Sequence, residues 1–458
     1  MSEKLLIYNQ FDGAEMNATT YYRIIQQIMA MVRYGVDPPT PMFDNGSIYI
    51  NNEDRALGLQ LTHLQLHYHQ CNPASLASMQ QLAGYRPRPA NSDAAREFGN
   101  VWYPPCVIAD TDDDLMRVTP LNTAFSKLGT HAPDGAGGYT ELGRGTKVEI
   151  VLPEHLTEAE DVKKDYYNAE LGRWVRVLWE DGKQDFDVFQ NQIRIETWRR
   201  FLKFARLVTC STPRSEAYVK RECPEANTFV APNIIDIEHY PQDIELAEHP
   251  NEVRILWQGS ITHHECLWPL VHSFERIAKK YPHAKFVFFG GAYKWLYERL
   301  GAQARHIPFV PYPEYKGRLS TIGHDINLCP LGKNLFNDSR SAIKWSESSI
   351  IARPAATLAQ RWGAYQDEIV HGETGMLFDG PEDFELHLSN LIEDATLRKN
   401  LASNAKQWQL DNRAPSVLGP RLWEKWKETL TIHRESCGPP LELQDVPVSA
   451  EQQDSRTG

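Results

Sequence analysis

The sequence predicts an α/β protein made of two doubly wound domains that face each other across a cleft. Three observations carry this. From Val253 onward, short apolar runs alternate with amphipathic stretches of about ten to fifteen residues, the pattern of a parallel sheet with right-handed crossovers. At the other end, KLLIYNQ is followed by a polar loop and a helical stretch, which is how such a domain begins. Between them, an acidic, Pro-containing segment over 236–252 reads as a linker. At 458 residues the chain is too long for one ordinary core and suggests two domains of roughly 200 residues each.

In order, Lys4–Gln10 reads as a short buried strand. TYYRIIQQIMAMVRYG follows, with Tyr22, Ile25, Ile28 (or Met29) and Val32 at helical spacing, then Gly35 and Pro38-Pro39 as a stop. LGLQLTHLQLHY and PPCVIAD are strand candidates, ETWRRFLKFARLVTCS reads as helix then strand, and NTFVAPN as a further strand. Residues 130–190 break the rhythm with a Gly-rich loop. There RWVRVLWEDGKQDFDVF has two alternating runs around Asp181-Gly182, a two-residue hairpin signal. This stretch is expected to be an excursion of the first domain, 1–235. The second domain, 253–410, reads as strands RILWQGS, KFVFFGG, HIPFVPY, DINLCPL and RPAATLAQ separated by helices. Residues 411–435 suggest a terminal helix, and 436–458, polar and Pro-bearing, a disordered tail.

The formal net charge of −12 disfavours non-specific attraction to nucleic acid or an anionic bilayer. Seven scattered cysteines without a C-x-x-C pair argue against a disulfide framework and a structural zinc site, and for a reducing compartment. Neither a signal-peptide pattern nor an apolar run of spanning length is evident. A cytoplasmic protein without an integral membrane segment is expected.

Ligands of such domains bind at the carboxyl ends of the strands, where helix N-termini present N–H groups to phosphates. Three strand-end loops stand out. GSITHHE offers Gly259 for close backbone approach and Ser260, Thr262, His263 and His264 as donors; a helix cap with surface histidines is the plain alternative. In CPLGKNLFNDSRSAIKWSE, the stretch Asn337–Ser341 precedes a helix, with Arg340 and Lys344 bringing positive charge. Lys344 and Glu347 share a helix face: a carboxylate there can accept both hydroxyls of a ribose, and a lysine can neutralise a diphosphate. An ordinary i,i+3 ion pair is the rival for that pair. IVHGETGMLFDG is a turn and short strand.

Together these loops resemble the C-terminal domain of GT-B glycosyltransferases of the retaining family 4 type, in a bacterial or phage-type subset. FNDSRSAIKWSE resembles that family's f-n-x-x-x-S-x-x-K-x-x-E helix. Tyr365, Ile369, Gly372, Gly375 and Leu377 match its Y-x-x-x-I-x-x-G-x-x-G-x-L segment. ARLVTCSTPRSEAYVK with TFVAPNIID resembles its inter-domain crossover, and TYYRI the y-y-R-i opening of some members. The resemblance implies a GT-B fold of two Rossmann-like domains facing across a cleft. It also implies transfer of a sugar from a nucleotide-sugar donor with retention, requiring neither cofactor nor metal. The acceptor could be glycan, protein, lipid or modified nucleic acid. It assigns Glu347 to the donor ribose. Gly259, Ser260, Thr262, His263, Ser339, Arg340, Ser341 and Lys344 complete the donor-binding set. The acceptor falls to Asn17, Tyr22, Arg23 and Asp114, and catalytic help to Asp112, Asp113 and His263. Two departures matter. Ser339 stands where the family carries the first glutamate of its Glu-x7-Glu pair, and the usual Arg and Lys after the first strand are missing.

VIADTDDDL admits three readings. Asp110 and Asp112 fit the nucleophile and acid/base of a Mg²⁺-dependent haloacid-dehalogenase-type phosphatase, or the D-x-D of a metal-dependent GT-A enzyme. The stretch also fits an acidic, N-capping turn, or a strand-end loop facing the cleft. A non-catalytic sugar-nucleotide-binding protein remains the third functional class.

Overall fold

The alternation of strands and helices resolves into two six-stranded parallel sheets in a computed structural model of the chain. The structure describes residues 4–8, 18–37, 40–44, 61–65, part of 71–80, 101–102, 106–151 and 186–437 with short gaps, 165–168, 173–179 and 441–442. The first sheet comprises β1 (Lys4–Tyr8), β2 (Thr40–Asp44), β3 (Leu61–Gln65), β4 (Cys106–Thr111), β5 (Leu207–Cys210) and β6 (Thr228–Val230), in spatial order β6-β5-β4-β3-β1-β2. The second comprises β7 (Val253–Gly259), β8 (Ala284–Gly290), β9 (Ala304–Ile307), β10 (Ile326–Cys329), β11 (Ala356–Gln360) and β12 (Met376–Phe378), in order β9-β8-β7-β10-β11-β12. In each sheet the order reverses beside the domain's first strand. That reversal opens a crevice at the carboxyl ends of the strands. In the second sheet it lies between β7 and β10.

Local sequence explains the elements. β4 and β10 are buried throughout, so they read as continuous apolar runs with helices on both faces. Thr212 caps the helix Pro213–Glu222 through a reciprocal bond with Ser215, with Pro213 in the first turn. The helix Val271–Lys280 buries Val271, Phe274, Ile277 and Ala278 as one stripe.

Several expectations need correction. The hairpin turn expected at Asp181-Gly182 lies outside the described residues, but its flanks differ from the reading. Arg173–Trp179 pairs instead with Asp165–Asn168 and Lys147–Val151. Val188–Phe204 is helical because the Asp187 side chain accepts the Gln190 N–H and caps it. The tail is not wholly without structure: Leu441–Glu442 pairs antiparallel with Val101–Trp102. The N-terminal helix also differs. A π-helical turn, Tyr21–Ile25, precedes Gln26–Tyr34 (α1). The extra residue in that turn rotates the apolar stripe, so Ile24, Ile28 and Met31 are fully buried while Met29 is 50% exposed.

The terminal helix Pro415–Ser436 (α2) returns to the first domain. Its Trp423, Trp426 and Leu430 pack with Ile24, Ile28, Met31, Cys106, Ile108 and Leu207. Close approach of the two helices depends on Gly419, where an added Cβ would stand 2.4 Å from the Ala30 carbonyl oxygen. In an exposed helix Gly→Ala gains about 1 kcal/mol. Here backbone blocks the space and overpacking costs about 1–3 kcal/mol, so Gly419→Ala should lower the urea midpoint rather than raise it.

Candidate functional site

Between the domains lies a cavity of about 570 Å³, lined from the second domain by Gln258, Gly259, Ser260, His263, Arg340, Ser341, Lys344 and Glu347, and from the first by Tyr22, Arg23, Asp112 and Asp113. It sits at the β7/β10 crevice. Two glycines shape its floor. Gly259 pairs with Gly290, and Gly290, at φ +106°, brings its Cα within reach of the Gly259 carbonyl, where a Cβ would stand 2.4 Å away.

The helix Ile343–Ile350 starts at the cavity with no side-chain cap, leaving first-turn N–H groups for a ligand. Lys344 and Arg340 stand at this end. Lys344 Nζ lies 3.3 Å and Arg340 Nη1 3.5 Å from His263 Nε2. Burial and the two cations push His263 well below its ordinary value. It is therefore a neutral imidazole whose Nε2 accepts from them. Burial, with Arg340 beside it, lowers Lys344 to about 8.

Glu347 is buried, and its two oxygens accept from different domains. Tyr22 of the first domain donates to Oε1 at 2.7 Å, and Tyr315 of the second to Oε2 at 2.8 Å. Burial nonetheless holds its carboxyl above the ordinary range. The Tyr22 hydroxyl also meets that of Tyr240 at 2.8 Å. Beneath them Lys316 Nζ lies 3.3 Å from the Tyr21 ring centroid and within 6 Å of those of Tyr22, Tyr240 and Tyr312, a cation–π cage. The sequence holds 19 tyrosines, and nothing in it signals that residues 21, 22, 240, 312 and 315 converge.

The aspartates divide. Asp110 is sealed: Arg23 donates to both its oxygens, at 3.1 and 2.6 Å, and Thr209 Oγ1 at 2.6 Å. A carboxylate so enclosed is not available to attack phosphorus, which removes the nucleophile of the phosphatase reading. Arg23 borders the cavity, but its N–H groups go to Asp110, the Ala231 carbonyl and Asn233 Oδ1, so it braces the floor instead of offering itself to an acceptor. Asp114 turns away too. Its carboxylate pairs with Arg117 and Arg221 at 3.2 and 2.8 Å, because basic residues of the flanking turn and helix lie behind it. Its N–H donates across the domain boundary to Ser339 Oγ at 2.8 Å. Ser339 is thereby a buried domain contact and not part of the cavity lining. Asp112 and Asp113 do face the cavity. Burial and the neighbouring Asp112 raise Asp113 to about 7, against Arg340, whose Nε is 3.8 Å from Asp113 Oδ2. Ser341 Oγ accepts from Asn233 across the boundary at 3.0 Å. Asn17 and Thr262 lie outside the described residues.

The cavity also carries an apolar rim of Phe289, Phe309, Val310 and Pro311. Phe309 is 63% exposed, a large apolar ring left uncovered at the cleft.

No family model and no curated protein matches the chain in sequence. Solved structures do resemble it. HepE from Anabaena, solved in complex with UDP and glucose, superposes with a TM-score of 0.53 at 12% identity, covering 93% of this chain and all of HepE (100%). HepE solved with UDP-glucose gives 0.53 at 11%, covering 93% and 99%. Sucrose-phosphate synthase from Thermosynechococcus elongatus gives 0.51 at 11%, covering 94% and 100%. The likeness shows the fold: GT-B, two Rossmann-like domains across a cleft.

Proposed function

We propose that this chain is a glycosyltransferase that takes a nucleotide-activated sugar and passes the sugar, with retention, to an acceptor hydroxyl. The observation that carries the reading is the convergence at one crevice of Glu347, Lys344, Arg340, His263 and an uncapped helix N-terminus. Solved neighbours of the same fold hold UDP with glucose and UDP-glucose. Glu347 accepts the ribose hydroxyls. Phe309 and its neighbours lie along the base. Lys344, Arg340 and the amides at Gly259-Ser260 receive the diphosphate. With the Arg and Lys of the β7 loop missing, Arg340 and Lys344 after β10 supply the positive charge.

As the bond between sugar and diphosphate breaks, negative charge grows on the leaving oxygen. Fixed cations and amides there stabilise it in proportion to that growth. His263, neutral, accepts from both cations and keeps them aimed. Asp112 and Asp113 hold the acceptor hydroxyl, and a carboxyl near 7 is matched to moving its proton at neutral pH. The reaction as drawn requires no metal. All seven cysteines are unpaired, which suits the cytoplasm; among the described residues no helix is long and apolar enough to cross a membrane.

The test is a panel of nucleotide sugars and nucleoside diphosphates, read by thermal shift and by donor hydrolysis. At least one donor should stabilise the wild type, and Glu347→Ala should abolish that shift. A flat response across the panel overturns the proposal, whereas binding without transfer to any acceptor marks a sugar-nucleotide-binding protein.

Titration of Lys344 gives a second expectation. Its ammonium is the form that binds a diphosphate, so affinity for the best-binding nucleoside diphosphate should be full below about pH 8. Above that it should fall by up to tenfold per pH unit. Lys344→Arg, which keeps its charge throughout, should flatten the profile.

Ribose hydroxyls must displace a phenol donor from Glu347, and Tyr22, from the other domain, is the one that moves with the cleft. Tyr22→Phe removes that competitor. Nucleotide affinity should rise roughly fivefold, the scale of one net hydrogen bond. A weaker complex by calorimetry would show instead that Tyr22 helps hold the ligand.

A further inference from the structure

At the opposite end of the second sheet, the face that packs beneath the helix Tyr312–Ile322 changes character. Toward the cleft that face is apolar: Leu256, Val287, Phe289 and Ile307 cluster with Leu319 and Ile322. Toward the amino ends of the strands the same face carries cations. Arg254 stands directly across from Lys285, and Arg305 across from Val287, two residues along from Lys285. Period-two alternation puts Arg254, Lys285 and Arg305 on one side of the sheet. Arg318 joins them from the covering helix, and the four border a cavity of about 340 Å³ with Val287, Ile307, Gln303 and Thr321.

Like charges on directly opposed strand positions destabilise a sheet. Here they are weakly compensated. Among the described residues Glu252 is the single carboxylate of the lining; its Oε2 lies 3.6 Å from Arg254 Nε. Arg254 also donates to the Ile322 carbonyl at 3.2 Å, which explains that residue as a cap on the helix end. Nothing comparable explains the rest: among the described residues, Lys285, Arg305 and Arg318 have no ion-pair partner. Four cations against one carboxylate surround a concave space in a chain of net charge −12.

We propose that this cavity binds a phosphorylated small molecule, its phosphate groups held by Lys285, Arg305 and Arg318 and its apolar part lying on Val287 and Ile307. Guanidinium forks suit phosphate oxygens, and an ammonium adds a point charge. The site is separate from the cleft. Arg254 and Gly259 are the second and seventh residues of β7, about 17 Å apart at strand rise. The inference therefore does not depend on what the cleft binds.

The probe is inorganic pyrophosphate, titrated into the full chain by calorimetry at about 0.15 M ionic strength. The double variant Arg340→Ala/Lys344→Ala silences the cleft and should still bind one equivalent. Lys285→Glu/Arg305→Glu should lose that equivalent while keeping any cleft binding, and Lys399→Glu, an exposed cation elsewhere, should change nothing. If the double reversal unfolds the domain, seen as loss of the far-ultraviolet melting transition, Arg305→Gln at an exposed position should still weaken binding about tenfold. Unchanged stoichiometry and affinity in the Lys285 and Arg305 variants would overturn the proposal. So would sedimentation with phosphatidylglycerol vesicles, lost on charge reversal, in a protein whose cleft-silenced form takes up no pyrophosphate. That result would assign the patch to a lipid headgroup surface.

Discussion

Arg23 and Asp110 form an ion pair with almost no access to solvent. Burying two charges costs several kcal/mol per ion unless their hydrogen-bonding capacity is met. Here it is met from four directions: the π-helical turn supplies Arg23, β4 supplies Asp110, β5 supplies Thr209, and the crossover supplies Ala231 and Asn233. The pair therefore fixes where these four segments meet. Tyr22 precedes Arg23 and is carried to Glu347; Asp112 and Asp113 follow Asp110 and are carried to Arg340; Asn233 reaches Ser341. The first domain's side of the cleft follows from that one pair.

Electrostatics across the cleft then fall into a gradient. The second domain presents Arg340 and Lys344 around a neutral histidine, and the first presents Asp112 and Asp113. Arg340 to Asp113, 3.8 Å apart, is long enough to be exchanged for a ligand's charges, whereas Arg214 holds Asp338 and Asp367 tightly across the same boundary. Asp114 could not serve in this way, since two arginines behind it and Ser339 beyond it tie the loop down.

Most of the fold was legible because a parallel sheet buried on both faces leaves continuous apolar runs, as in ILWQG, KFVFFGG and INLC, and because helices carry caps and proline starts. What misled was local ambiguity. DVF after a Trp-Glu-Asp-Gly stretch reads as a strand by alternation until Asp187 is seen capping a helix. The π turn shifted the buried stripe by a residue, which no 3.6-residue period reveals. Of the site, the cationic helix and Glu347 could be read since they share one short segment. Arg23–Asp110, Asp114–Ser339 and Tyr22–Glu347 could not, because their members lie between 87 and 325 residues apart. Asp110 and Asp114 looked like their neighbours in sequence, and only the arginines brought up by tertiary structure tell them apart.

The chain passes between the domains twice, once after β6 and again before α2, and the two passages touch: the Ile235 N–H donates to the Arg413 carbonyl at 2.9 Å. Side by side, the two crossings tie the domains together at one place. They also make the gene indivisible at its apparent seam. A fragment ending in the 236–252 segment would lack Trp423 and Trp426, and would present Ile24, Ile28 and Met31 to water as an uncovered groove. The half that looks self-sufficient in sequence would be the half that aggregates.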